Sequence, residues 1–243
     1  MPPLLARLAP RIPRLAEAGG SDTGSVAGRG EPLRLLVFGD SSAAGVGATD
    51  HREALAGQAA GAIGALTGRA ISWRVVARTG ATARTARHLV DQITDPHTRW
   101  TPDVMLVAVG GNDVISLRRP DRFRQDVEDL VALLRRRAGT PVPVLLAGLP
   151  PIHRFPALPA PVRWMCGRYA SRLDRRLAQV ARRQPGIAHL PVSGLPVRPD
   201  FFATDGFHPG PVGYRAWALL LAAQAASVLE TLPTRDVAEG ART

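Results

Sequence analysis

Leu33-Arg34-Leu35-Leu36-Val37-Phe38-Gly39-Asp40-Ser41-Ser42 sets a nearly unbroken apolar run against an abrupt change to turn-forming residues. The run from Leu33 to Phe38 is strand length, and its near-continuous apolar character reads as a strand buried on both faces. That is the mark of a parallel sheet covered by helices on each side. The Gly-Asp-Ser-Ser that follows turns the chain out at the strand's carboxyl end, where open α/β sheets gather their functional loops.

The same rhythm returns downstream in Ile71–Ala77, Val104–Val109, Val142–Ala147 and Ile187–Pro191. Helical patterns lie between these runs. Phe123, Val127, Leu130, Val131 and Leu134 share one face, with Asp121, Asp126, Glu128 and Asp129 toward the start and Arg135–Arg137 at the end, as the helix dipole favours. Val162, Met165, Tyr169, Leu173, Leu177 and Val180 give a second amphipathic face, and a last helix is expected from Pro211 to Leu229. Strands alternating with helices predict a doubly wound α/β three-layer sandwich around a five-stranded parallel sheet. Residues 1–32, with Gly, Ser, Pro and Arg in no steady period, read as a flexible leader and linker. Residues 33–231 read as the folded domain and 232–243 as a flexible tail.

Composition removes several chemistries. All 31 basic residues are arginine, so a Schiff-base lysine, a phosphate-loop lysine and a Ser–Lys dyad are excluded. Cys166 is the single cysteine, which excludes an intrachain disulfide and a Cys/His zinc cluster. The net charge of +11 is scattered in short clusters such as Arg135–Arg137, Arg175–Arg176 and Arg182–Arg183, on the polar sides of the expected helices. Solvated faces explain these better than a nucleic-acid surface does. The uncharged runs Ala54–Gly68 and Ala216–Leu229 are too short to span a bilayer, and Met1–Arg14 lacks a continuous apolar stretch. The expectation is a cytoplasmic protein with no transmembrane segment, for which peripheral contact with a membrane surface stays open.

Three loops and one turn carry groups with chemical potential. Gly39-Asp40-Ser41-Ser42 follows the first strand, and Arg78-Thr79-Gly80-Ala81-Thr82 follows the second. Gly110-Gly111-Asn112-Asp113 follows the third, and Asp205-Gly206-Phe207-His208-Pro209 precedes the last helix. Together these are the parts of an acyl-transfer site. Ser41 is a hydroxyl nucleophile, and His208 is an imidazole base able to take its proton near neutral pH. Asp205, three positions earlier on a tight turn, is placed to hold the ring. Ser41 N–H, Gly80 N–H and the Asn112 amide would be donors for a developing oxyanion. Taken singly, each segment is also an ordinary turn, loop glycine or helix cap. Their conjunction and order decide. His51, His88, His97, His153 and His189 have no comparable sequence partner, and Asp40 and Asp113 read as supports of their loops.

With these residues in place the chain resembles the SGNH (GDSL-type) hydrolases, whose four blocks centre on Ser, Gly, Asn and His in that order. The resemblance covers about residues 33–230 and maps the blocks onto Ser41, Gly80, Asn112 and His208, with Asp205 as the triad acid. Ser42 stands where the family usually has leucine. The resemblance implies a flavodoxin-like strand order 2-1-3-4-5, no cofactor or metal, and hydrolysis of carboxylic esters or thioesters through an acyl-enzyme. The small-molecule substrate would be an acyl-chain or lysolipid-like ester, a leaning supported by the apolar segment Pro150–Trp164 as one pocket wall. Arg118, Arg119, Arg154 and Arg163 lie nearby and would suit an anionic headgroup, or form solvated surface.

The alternative is a binding module for acyl or sugar esters, or for a nucleotide. Gly45-Val46-Gly47 lacks the lysine of a phosphate loop and the third glycine of a dinucleotide fingerprint. No G-x-S-x-G is present, which removes the other common serine-hydrolase fold.

Overall fold

The computed structural model describes residues 12–94, 100–139 and 141–232. Its strands are β1 (Thr23–Val26), β2 (Arg29–Gly39), β3 (Arg69–Ala77), β4 (Val104–Ala108), β5 (Val144–Ala147) and β6 (Ile187–Leu190). They form one sheet in the order β1-β3-β2-β4-β5-β6. β2 to β6 are parallel, and counted from β2 their order is the expected 2-1-3-4-5. The helices are α1 (Leu55–Thr67), α2 (Gly111–Ile115), α3 (Pro120–Ala138), α4 (Ala160–Arg183) and α5 (Pro211–Glu230).

Alternation along each strand sorts the core into two layers. Leu36 and Phe38 of β2, Met105 and Val107 of β4, and Val144 and Leu146 of β5 face one layer. Leu33, Leu35 and Val37, with Val104, Leu106 and Leu145, face the other. α3 and α4 cover the first with Phe123, Leu130, Leu134, Leu173 and Leu177. α1 and α5 cover the second with Leu55, Ile63, Tyr214, Trp217 and Leu221. With helices on both faces there is no polar side for these strands to show, which is why their sequences are apolar throughout. α5 is long and apolar enough to cross a membrane by composition, yet its Tyr214, Trp217, Leu221 and Leu229 are buried against the sheet.

The amino-terminal boundary differs from expectation. Residues 12–32 belong to the fold rather than to a free leader. Ala18 N–H donates to Ala44 O and Gly19 N–H to Thr49 O, both at 3.0 Å. β1 then pairs antiparallel with β3, setting Thr23 against Arg74 and Val26 against Ile71. A sixth strand thus caps the otherwise open edge of β3, satisfying backbone groups that an edge leaves bare. Residues 1–11 and 233–243 of the expected leader and tail lie outside the described residues.

Met165 departs as well. It was expected on the buried face of α4 and is 42% exposed, with Val162 and Cys166 taking the inward positions.

Candidate active site

The site forms at the carboxyl ends of β2 and β4, where two glycines permit close approach. Gly39 ends β2 so tightly against β4 that a Cβ would collide with the Ala108 carbonyl. Gly47, at φ 99°, backs onto the Pro209 carbonyl, where a Cβ would collide again. These two glycines therefore let the Ser41 turn lie against β4 and against the turn carrying His208, closer than any larger residue would allow.

That approach places Ser41 Oγ 3.0 Å from His208 Nε2. His208 Nδ1 lies 2.6 Å from Asp205 Oδ2. Asp205 is 5% exposed, and its other oxygen accepts the N–H groups of Phe207 at 2.9 Å and His208 at 3.0 Å. A carboxylate acceptor at Nδ1 selects the tautomer protonated there and leaves Nε2 as the acceptor facing the hydroxyl. Phe207 stacks edge-on against His208 at 5.1 Å and against Phe155 at 5.3 Å, which fixes the ring from the other side.

The remaining expected residues stand as follows. Asn112 lines the same cavity as Ser41 and His208. Its Nδ2 donates one hydrogen to the Ala81 carbonyl at 3.0 Å, tying its loop to the Gly80 loop. The amide has a second hydrogen to offer. Gly80 is not among the cavity's lining residues, but it precedes Ala81 and takes φ 82°. Among the described residues neither Ser41 N–H nor Gly80 N–H has an acceptor. Glu17 Oε1 accepts Thr79 N–H at 2.7 Å, so the amino-terminal segment braces that loop.

Two buried carboxyls flank the site, each accepting a backbone N–H as loop supports do. Asp40 Oδ1 accepts Ser42 N–H at 3.0 Å. Burial pushes its pKa up to about 7, against the Ser42 bond and with reinforcement from Asp113. Asp113 Oδ2 accepts Ala83 N–H at 2.9 Å, while Oδ1 is buried without a partner among the described residues. Burial raises its pKa to about 6. Nothing in a Gly-Asp or Asn-Asp pair announces such shifts, because they arise from the layers packed over the loops.

His189 corrects an expectation. It does have an acidic partner, Asp174 Oδ1 at 2.9 Å, which also accepts Leu149 N–H at 2.9 Å. The pair fastens β6 to α4. His51 is buried, and burial lowers its pKa. His97 lies outside the described residues.

The cavity between the loops is largely apolar. Pro150, Ile152 and Phe155 come from the segment expected to form a wall. Leu195 and Phe201 come from a stretch in which the sequence reading marked no element, and Trp217 comes from the expected last helix. Trp217 reads only as one more apolar residue of α5, and its place in the wall depends on how that helix docks.

Residues 37–216 match the model of the GDSL-like lipase/acylhydrolase family. The chain belongs to this family. A GDSL-like esterase of Mycobacterium tuberculosis is 27% identical over 196 residues, which cover 78% of this chain and 60% of that protein. This chain thus spans about 60% of the length of that curated relative. Among solved structures, the lipase Lip_vut3 from a goat rumen metagenome superposes with a TM-score of 0.61 at 18% identity, covering 81% of this chain and 99% of that one. A family 3 carbohydrate esterase of Clostridium thermocellum gives 0.61 at 17%, covering 83% and 99%. The esterase EstA of Pseudoalteromonas sp. gives 0.60 at 16%, covering 82% and 99%. At these identities the likeness establishes the fold the family members share.

Proposed function

We propose that the protein hydrolyses carboxylic esters, thioesters included, through an acyl-enzyme formed on Ser41. The observation that carries this reading is the unbroken chain from Ser41 Oγ to His208 Nε2 at 3.0 Å and from Nδ1 to Asp205 Oδ2 at 2.6 Å. His208 takes the hydroxyl proton as Oγ attacks the substrate carbonyl, and Asp205 stabilises the imidazolium that forms. The tetrahedral oxyanion faces Ser41 N–H, Gly80 N–H and the free hydrogen of the Asn112 amide. His208 then gives its proton to the departing alcohol or thiol. A water enters and loses a proton to the same nitrogen as it attacks the acyl carbon, and the acid leaves as His208 returns that proton to Ser41 Oγ.

The apolar cavity wall supports an acyl group of hydrocarbon character over an acetylated sugar, because few polar groups converge there to match sugar hydroxyls. The decisive experiment is labelling with a fluorophosphonate followed by peptide mass spectrometry. The adduct is expected on Ser41 and absent from the Ser41→Ala variant, whose turnover should fall by roughly 10⁴–10⁶. An adduct on Ser42, or none, would overturn the assignment. Across a p-nitrophenyl acyl series, hydrocarbon acyl esters should outperform acetylated sugars in kcat/KM.

A further inference from the structure

α4 carries a second pattern that the core does not use. Opposite its buried stripe, Trp164, Met165, Arg168, Arg172 and Arg175 succeed one another on the exposed face. Trp164 is 63% exposed and Met165 is 42% exposed. Both lie about one turn before Tyr169, whose hydroxyl donates to the Arg118 carbonyl at 2.9 Å. That bond brings Leu117, 37% exposed and held at φ 53°, to the same end of the helix. A bulky residue rarely adopts that left-handed conformation, so the fold maintains a leucine outward there at a cost.

The elements that carry these side chains also adjoin segments that line the Ser41 cavity. Leu117 follows α2, which carries Asn112, and Gly167 of α4 packs directly on His153, beside the cavity residue Ile152. Arginines surround the apolar cluster, and the acids of the neighbourhood are spent elsewhere. Asp126 pairs with Arg118 at 2.7 Å and Asp121 with Arg176 at 2.9 Å, while Asp174 faces His189. Among the described residues, Arg154, Arg168 and Arg172 have no acidic partner. An exposed indole prefers the headgroup level of a bilayer, and guanidinium groups match phosphate in pairs of hydrogen bonds. Positive charge without interspersed acid fits a uniformly anionic surface better than the mixed rim of a protein partner.

We propose that this face docks on a membrane surface rich in anionic phospholipid. Trp164, Met165 and Leu117 enter the boundary between headgroups and acyl chains, and Arg154, Arg168 and Arg172 contact lipid phosphates. Docking does not depend on the esterase reading.

The test is sedimentation of the full chain with phosphatidylglycerol–phosphatidylcholine vesicles and with pure phosphatidylcholine vesicles, together with tryptophan fluorescence. Binding should favour the anionic vesicles and weaken as salt rises from about 0.1 M to 1 M, where the screening length shrinks to about 3 Å. A blue shift on binding should vanish in Trp164→Ala, because Trp73 and Trp217 are already buried and Trp100 is half-buried against Ser72 and Arg74 of β3. Removing that indole should lower the partition coefficient by about tenfold. The pair Arg168→Gln and Arg172→Gln should weaken binding to anionic vesicles and leave hydrolysis of a soluble short-chain ester unchanged. Ser41→Ala should bind as the wild type does, so hydrolysis retained in that variant would count against the esterase site alone and leave the docking proposal standing. Equal partition onto both vesicle types, or full binding by Trp164→Ala with its melting temperature intact, would overturn the proposal. So would a stable dimer that Trp164→Ala dissociates, since a second copy would then cover the face.

Discussion

Asp40→Asn probes how charge is handled beside the Ser41 turn. The carboxyl is 5% exposed, and burial raises its pKa from 3.8 to about 7. A native pKa above the unfolded one means that the folded chain holds the proton more tightly. The stability this gives is complete below the unfolded value near 3.8 and is lost as pH rises through about 7. At about 1.4 kcal/mol per pH unit, the interval from 3.8 to about 7 amounts to roughly 4 kcal/mol as an upper bound. Asparagine keeps an oxygen to accept Ser42 N–H and has nothing to ionise. Urea unfolding of both proteins from about pH 4 to pH 8 should therefore give similar stabilities at the acid end. At the alkaline end the variant should be the more stable, by up to roughly 4 kcal/mol. Asp113 is present in both proteins and contributes its own slope to each, so the difference curve reports Asp40. Parallel curves across that range would mean that Asp40 is ionised throughout, and the argument from burial would fail.

The remaining expectations concern the proposed chemistry. Asp205→Asn keeps an acceptor for the Phe207 and His208 N–H groups but can present an amide to Nδ1, so turnover should fall by up to about 10⁴ while the melting temperature moves little. A loss smaller than about threefold in stopped-time ester assays would remove Asp205 from the relay. Asn112→Ala should lower kcat by roughly 10²–10³ with little change in KM, because its free hydrogen meets full charge only in the transition state. The same variant gives up the Ala81 bond and should lose about 1 kcal/mol of stability. A destabilised protein with normal turnover per titrated site would show that bracing the Gly80 loop is all Asn112 does.

Legibility from sequence follows what covers each element. β2, β4 and β5 are sandwiched between helices, so their residues are apolar on both faces and could be read directly. β1 is half-covered on one face only, where Val26 packs toward α1, and Thr23-Gly24-Ser25-Val26 accordingly carries too little apolar alternation to find. It exists because β3 offers it a hydrogen-bonding edge, and that is a tertiary fact. The same contrast runs through the site. Ser41, Asn112, Asp205 and His208 are chemically conspicuous side chains at strand ends or helix starts, so type and position could be read together. The cavity wall was legible only in part. Pro150 to Phe155 follow a strand, whereas Leu195, Phe201 and Trp217 reach the cavity through the docking of distant segments. His189 was passed over because its partner Asp174 is 15 residues earlier on another element.

The two flanking carboxyls bear on why this arrangement suits an oxyanion at all. On the proposed mechanism negative charge develops beside Ser41, and two ionised neighbours, Asp40 and Asp113, would oppose it. Both are buried by the layers that close over the loops, and the pKa values of about 7 and about 6 that follow keep a proton available to each in mildly acidic solution. Asp205 is buried too, but three donors surround it, two backbone N–H groups and the ring Nδ1–H. The difference is one of solvation by the protein. Asp205 has donors on both oxygens, whereas Asp113 Oδ1 has none among the described residues. The fold thus separates three similar side chains by the hydrogen bonds it gives them. The one it equips with donors on both oxygens is the one against the histidine.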